Sequence, residues 1–465
     1  MKNKKIFILL PDGIGLRNFA FSNFFKIGKE KNFAITYWNN TPFDLASLGF
    51  DEVKITEARS NPLTDSYKNA RKHIELNLNK RREKDNVYNS YRFPFSYKKL
   101  KPALKNLVTR FLIATHSSSK GLQIIRQRIK KLEGNTPYYR KCLETLQKEK
   151  PELVFCTNQR PVLAIAPLLA AKALKIPTVT FIFSWDNLPK ATMVVETDYY
   201  VVWSEHMKKE LLHYYSYIEE NQVFVTGTPQ FENHFDLKLR LSREQFYKEQ
   251  QLDLNKKYIC YSGDDVTTCP DDPQYLKDTA RAIRKLNSQG HALGIIFRRC
   301  PVDFSNRFDL ILTEFSDVIF PVSPLWKSFG EGWNTVLPTV EDLILQTNTI
   351  LHSEMVINLG SSMVFDFASY QKPCAYLNYD VINRINKNWS VNKIYKYIHF
   401  RSMPDKNSVI WINSADEIAD KINSGLNHNN EIVNYAQKWF EEINQSPPEN
   451  ASNRIWESIE VILSN

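Results

Sequence analysis

The chain has no CxxC spacing, and its nine histidines form no HxxxH or HExxH pair, so the common zinc arrangements are excluded. Six cysteines (142, 156, 260, 269, 300, 374) lie scattered, several in apolar contexts. They read as reduced, partly buried thiols of a cytosolic protein, not as a disulfide frame. No uncharged apolar run reaches the ~18 residues that a bilayer-spanning helix needs. The best stretch, 162–183, is broken by Lys172, Lys175 and Pro177. The N-terminal run IFILL is too short for a signal peptide and ends at Pro11-Asp12-Gly13 without a small-residue cleavage site. It reads as the first buried strand. No internal repeat recurs at a fixed period. The full GxGxxG fingerprint is missing too: the first loop holds only Gly13-Ile14-Gly15, and no acid stands at the expected distance in a clear second strand.

With 465 residues there is room for two or three domains, and 43% hydrophobic with 13% aromatic content calls for a large packed core rather than disorder. The net charge of +10 is concentrated. Between Lys68 and Lys141 stand twenty Lys/Arg against four acids, a local +16 that leaves the remainder net acidic. Tyr88, Tyr91, Phe93, Phe95 and Tyr97 interleave with this charge. Such a patch suits an anionic membrane surface or an anionic acceptor. It also suits a set of solvated helices on an insertion. No nucleic-acid motif accompanies it, so no nucleic-acid partner is expected.

Apolar runs alternate with helical periodicity along both halves. Strands are predicted at Lys5 to Leu10, Ala34 to Trp38, Leu153 to Cys156, Thr178 to Phe183, Tyr199 to Trp203 and Val223 to Val225. A helix from Phe19 to Ile27 should follow the first loop, and long basic helices should fill about 60–145. A second series starts at Tyr258 to Tyr261 and continues at Leu293 to Arg298, near Val318 to Pro321, at Met355 to Ile357, Cys374 to Leu377 and Val409 to Ile412. The expected division is 1–235, 236–430, and a C-terminal helical stretch 431–465. Parallel strands alternating with helices place ligands at strand C-terminal ends.

The segment HSEMVINLGSSMVFDFASYQKPCAYLNYD is the most informative: strand, tight turn, helix, strand. Gly360, Ser361 and Ser362 fall where the helix begins, where unpaired N–H groups and two hydroxyls form a phosphate seat or an ordinary N-cap. Arg298 follows the strand GIIF, and strand alternation favours one of Arg298 and Arg299 as a charge partner for a diphosphate. Ser262-Gly263-Asp264-Asp265 follows the strand YICY, either binding sugar hydroxyls or forming a turn. Asp186, after Trp185 in FIFSWDN, reads as a base or hydroxyl binder, with Trp185 as a stacking platform or a packed core ring. Asp12 in the first strand–helix loop reads as a base or a turn former.

These motifs together resemble the GT-B glycosyltransferases. The resemblance lies in PDGIGLRNF, FIFSWDN, YYVVWSEHMKKEL with VFVTGTPQF, RRCPVDF, and INLGSSMVFDFASYQKPCAYLNYD. The last is similar to the donor segment of surface-polysaccharide and lipopolysaccharide glycosyltransferases. The resemblance implies two facing Rossmann-like doubly wound domains, here with a basic helical insertion in the first and a C-terminal helix pair. It implies a nucleotide-sugar donor on the C-terminal domain and a glycan or lipid-linked acceptor on the N-terminal one. It implies phosphate on Gly360, Ser361 and Ser362, with Asp366 reaching the ribose. The chain departs from the family by lacking a clean Glu pair seven residues apart. It also has Cys300-Pro301 where CMP-sugar enzymes often carry His-Pro.

The resulting expectation is a metal-independent glycosyltransferase, cytoplasmic and peripheral at the inner face of the cell membrane. The donor is its substrate, and no cofactor is required. Arg298 and Gly263 help to bind the donor, and Asp12 or Asp186 deprotonates the acceptor if the enzyme inverts. A polyol-phosphate transferase of the teichoic-acid type, a nucleotide-sugar epimerase and a non-catalytic binding protein are the alternatives.

Overall fold

The computed structural model describes residues 4–95, 97–329, 336–427 and 430–464. The chain divides into two compact units, 1–229 with 445–465, and 230–444.

The first unit is built on seven strands: β1 (Lys5–Leu10), β2 (Ala34–Asn39), β3 (Glu52–Lys54), β4 (Leu153–Cys156), β5 (Thr178–Phe181), β6 (Tyr199–Val202) and β7 (Val223–Val225). All pair in parallel, in the order β3-β2-β1-β4-β5-β6-β7. Strand β1 is central, with Ile6 opposite both Ile35 and Leu153, and Ile6 to Leu10 are fully buried. A strand covered on both faces must be apolar at every position, which is why IFILL reads as a continuous run.

The helix expected over Phe19 to Ile27 is two pieces, Leu16–Phe19 and Phe24–Glu30. Ser22 and Asn23 break it: the Ser22 hydroxyl donates to the Asn18 carbonyl (2.5 Å) and accepts from the Phe24 N–H (3.2 Å), competing with the helical ladder. Four helices fill the insertion, Thr64–Glu83, Leu100–His116, Ser119–Glu133 and Pro137–Glu149. The last starts on a Thr136 cap with Pro at its first position. At the other end of the chain, helix Ala451–Ile462 packs back on this unit. Trp456 stacks between Phe24 and Phe33, with centroids 4.7 and 4.8 Å away. Gly28 permits this, since a Cβ there would lie 2.2 Å from the indole.

The second unit has six parallel strands, β8 (Lys257–Ser262), β9 (Leu293–Arg298), β10 (Ile319–Pro321), β13 (Val356–Asn358), β14 (Cys374–Leu377) and β15 (Ile410–Ile412). An antiparallel ribbon, β11 (Lys327–Ser328) with β12 (Val336–Leu337), lies apart from them. The order β10-β9-β8-β13-β14-β15 repeats the doubly wound plan of the first unit. Helix Asn430–Ile443 closes on this unit, with Trp439 edge-on to Phe365 at 4.9 Å. Among the described residues no helix is long and apolar enough to cross a membrane. All six cysteines are unbridged, and all but Cys300 are buried.

Candidate functional site

In a doubly wound sheet the crevice opens where strand order reverses, outside the C-terminal strand ends. That point lies between β1 and β4 in the first unit, and between β8 and β13 in the second.

At the first switch point β1 runs into Pro11-Asp12. Asp12 caps the one-turn helix Gly13–Gly15, its Oδ1 accepting from the Ile14 N–H (3.2 Å). Its Oδ2 accepts from Asn158 Nδ2 (2.9 Å), which arrives from the end of β4. Burial raises the Asp12 pKa; the Arg160 charge, the Ile14 N–H and the Asn158 amide pull it part of the way back. A carboxylate left more basic than usual at a strand end is equipped to take a proton. The Arg160 guanidinium lies over the Phe183 ring, 5.1 Å from its centroid, beside this carboxylate. Below them Gln159 is fully buried and donates to Asn187 Oδ1 (2.8 Å) while accepting from the Phe183 N–H (3.0 Å). This network locks the β4 and β5 loops together and so holds Asn158 in place.

Asp186 follows β5, one strand from the switch point. It accepts from the Ser184 hydroxyl and the Asn187 amide, both at 2.7 Å, and is ion-paired with Lys190. Trp185, considered as a stacking platform, is only 5% exposed and is a core ring.

At the second switch point Gly360 adopts φ +65°, and a Cβ there would meet Phe400 at 3.0 Å and Ile394 at 3.1 Å. Only glycine fits that turn without strain. The Ser361 N–H donates to Asn358 Oδ1 (2.8 Å), the Ser361 hydroxyl accepts from the Met363 N–H (3.3 Å), and Tyr376 holds the Ser361 carbonyl (2.9 Å). The half-buried Ser362 is the N-cap of helix Met363–Ala368, and its hydroxyl makes no capping bond. Asp366, implied as a ribose ligand, is 2% exposed and bonded through Oδ1 to His234 Nε2 (2.7 Å). A ribose contact would require that pair to open.

Across the switch point Gly263 is buried, its N–H bonded to the Arg298 carbonyl (2.9 Å). Next to it the two acids divide their work. Asp265 accepts from Thr267 and Thr268 and makes a turn. Asp264 donates its N–H to Asp272 Oδ2 (2.8 Å), and its own Oδ2 has no partner. Burial raises both carboxyls, Asp264 well above the ordinary range, with Asp272 adding to it, and Asp272 to about 6. Arg298, at the end of β9, is 7% exposed; its Nη2 holds both Asp342 oxygens at 2.8 Å. Only its Nη1 is left without a partner.

The doubly wound plan thus gathers Asp12 at one switch point, and Gly263 with Gly360, Ser361 and Ser362 at the other. Asp186 and Arg298 stand one strand away, each tied to an opposite charge. Sequence reasoning missed Asn158, Arg160 and Asp272. The first two lie in TNQRP directly after the strand LVFC, where the strand-end rule would have found them. Asp272 resembles an ordinary first-turn acid. Among the described residues no three His, Cys, Asp or Glu side chains are grouped to hold a metal ion.

Two Rossmann-like parallel sheets of seven and six strands in one chain are the mark of one architecture. The fold is GT-B-like. A UDP-GlcNAc 2-epimerase from Methanocaldococcus jannaschii superposes with a TM-score of 0.54 at 14% identity, over 98% of this chain and 99% of that one. A putative UDP-N-acetylglucosamine 2-epimerase from Listeria monocytogenes gives 0.53 at 11%, over 99% and 97%. A glycosyltransferase from Rickettsia africae gives 0.52 at 11%, over all of both chains. No protein-family model and no curated protein matches the sequence. At these identities the likeness is one of fold alone.

Proposed function

We propose that the chain is a nucleotide-sugar enzyme, a glycosyltransferase that transfers sugar to a glycan or lipid-linked acceptor at an anionic membrane surface. The observation that carries this reading is on the insertion. Helix Leu100–His116 exposes Leu100, Leu104, Leu107, Val108 and Phe111, between 40% and 85% each, while Thr109 and Leu112 turn inward. The spacing puts the five on one helical face. Phe93 and Tyr97 precede them, exposed at 81% and 46%, and Lys98, Lys99, Lys101 and Lys105 flank them. An apolar stripe edged with lysine matches the interfacial zone of an anionic leaflet. An enzyme confined to a soluble nucleotide-sugar has no use for it.

In this reading the second unit takes the donor diphosphate on the Gly360–Ser362 turn, with the open Ser362 hydroxyl and Arg298 Nη1 as donors and Gly263 shaping the opposite lip. Asp12 in the first unit takes the acceptor proton if the sugar inverts. Its carboxylate, which burial keeps more basic than usual despite Arg160, makes it a better base than Asp186, which is held by Lys190.

A 2-epimerase is the second reading, and the fold comparison favours it, because two of the three superposed structures carry that name. It would need paired acid–base groups around the sugar ring, for which the raised Asp264–Asp272 pair of the second unit is the candidate.

Product analysis separates the two. UDP-, GDP-, dTDP- and CMP-sugars are incubated with the protein, with and without anionic vesicles carrying a lipid-linked glycan. Free nucleotide with a new glycoside, stimulated by vesicles, supports the transferase. An epimerised sugar without acceptor replaces it with the epimerase. Loss of nucleotide affinity in Ser362→Ala, read by calorimetry, tests the donor seat in either case.

A further inference from the structure

The first unit contains a cavity of about 280 Å³, walled by the insertion helices Thr64–Glu83 and Ser119–Glu133 and by segments 193–196 and 214–217. Its size is close to the lower end for small-molecule sites, roughly 300 Å³.

Four side chains that line it are each 3% exposed and each keep a polar atom without a hydrogen-bond partner: Arg71 Nε, Glu75 Oε1, Asn79 Nδ2 and Tyr215 Oη. Native interiors rarely leave such atoms unbonded, and four in one cavity wall call for an occupant. Each charge already has an ionic partner, with one positive charge in excess. Arg71 Nη1 holds Glu75 Oε2 (2.7 Å), and its Nη2 donates to the Ala191 carbonyl (2.8 Å). Arg126 and Lys130 share Glu196, and Arg82 holds Glu83. The open valences are therefore mixed, with two N–H donors, one carboxylate acceptor and one hydroxyl that serves as either. An anion would face Glu75, and a cation would face Arg71. A hydroxyl both donates and accepts, so it satisfies all four. It also suits a Glu75 whose carboxyl is raised by burial and only partly pulled back by Arg71, by the neighbouring Tyr215 hydroxyl and by Arg126 and Arg82. The remaining wall mixes apolar side chains (Leu78, Leu122, Ile129, Val195) with polar ones (Ser119, Gln123), and Tyr217 lies under the Arg126 guanidinium, 3.4 Å from its ring centroid.

We infer that this cavity is a binding site for an uncharged, hydroxyl-rich molecule of monosaccharide size, held by Arg71, Glu75, Asn79 and Tyr215. The inference stands apart from the proposed transferase activity, since it uses none of the switch-point residues.

The test titrates the full chain with glucose, galactose, N-acetylglucosamine and glycerol, and with glucuronate and inorganic phosphate, by calorimetry and saturation-transfer NMR. Saturable binding of at least one neutral sugar or polyol is expected. Tyr215→Phe removes one hydroxyl at nearly constant volume and should weaken that binding roughly 2- to 10-fold. Asn79→Leu should weaken it at least as much, and UDP affinity should not change in either variant. Thermal melting checks that both variants fold, and if Asn79→Leu does not, Tyr215→Phe decides. Three outcomes overturn the inference: no saturable neutral ligand, which would leave a water-filled cavity; binding of glucuronate or phosphate only; or neutral-ligand binding that both folded variants leave intact.

Discussion

Membrane association through helix Leu100–His116 can be tested on its own two components, apolar and ionic. Leu104 and Phe111 are 63% and 67% exposed. Full burial of such a side chain is worth roughly 1.5–3 kcal/mol, so about 1–2 kcal/mol each remains to be gained on insertion. The double variant Leu104→Gln/Phe111→Gln should therefore lower vesicle partitioning by about 2–4 kcal/mol, on the order of 30- to 1000-fold. Lys98, Lys99 and Lys101 carry the ionic part; Lys105 is left out because it is paired with Asp65 (3.2 Å). Near an anionic leaflet each is worth about 1 kcal/mol, so changing all three to Gln should cost on the order of 100-fold. Co-sedimentation with phosphatidylserine-containing and purely zwitterionic vesicles separates the two. The lysine variant should lose binding only on anionic vesicles, with the difference shrinking as salt is raised. The apolar variant should lose it on both. If both variants sediment like the parent protein, the stripe is not a membrane surface and the argument for a membrane-bound acceptor falls with it.

Three other outcomes follow from the switch points. Asp12 must be ionised to act as a base, so the rate should fall as pH drops through its raised pKa; Arg160→Gln removes the charge that lowers that pKa, and the acid limb of the rate profile should move to higher pH. An unmoved limb would mean that another group sets it. Asp264 has a folded pKa well above its unfolded value, so its unfavourable contribution is absent below about pH 4 and grows as pH rises through the folded pKa. Asp264→Asn should be more stable to unfolding than the parent at pH 8 and no different from it at pH 3.5. Denaturant melts that differ equally at both pH values would rule this out. Gly360→Ala, forced into positive φ against Phe400 and Ile394, should lose about 1–3 kcal/mol in the same assay; no loss would mean that the turn relaxes.

Local sequence was enough for what local sequence decides. Strands covered on both faces are continuous apolar runs, so β1, β4, β9 and β14 are legible to the residue, as is the strand–turn–helix around Gly360. The basic insertion is legible as helices from its periodicity, and the two-sheet α/β plan from the alternation of elements. Strand β3 (Glu52–Lys54) was not legible, being three residues of edge strand with no apolar run. The Ser22 break was missed because it depends on which backbone group a side chain prefers.

Partner choice was settled only in three dimensions. Asp12, Asp186, Asp264 and Asp265 all follow strands, and nothing in their neighbouring residues ranks them. Lys190 neutralises Asp186, the threonines engage Asp265, and burial outweighs Arg160 at Asp12 and Arg307 at Asp264, raising both. Arg298 is tied by Asp342, forty-four residues away, and Asp366 by His234, one hundred and thirty-two away. The exposed face of helix Leu100–His116 and the cavity behind Arg71 belong to the same class. Sequence determines that a helix is amphipathic, but which of its faces the core covers depends on the segments packed against it, and those come from elsewhere in the chain.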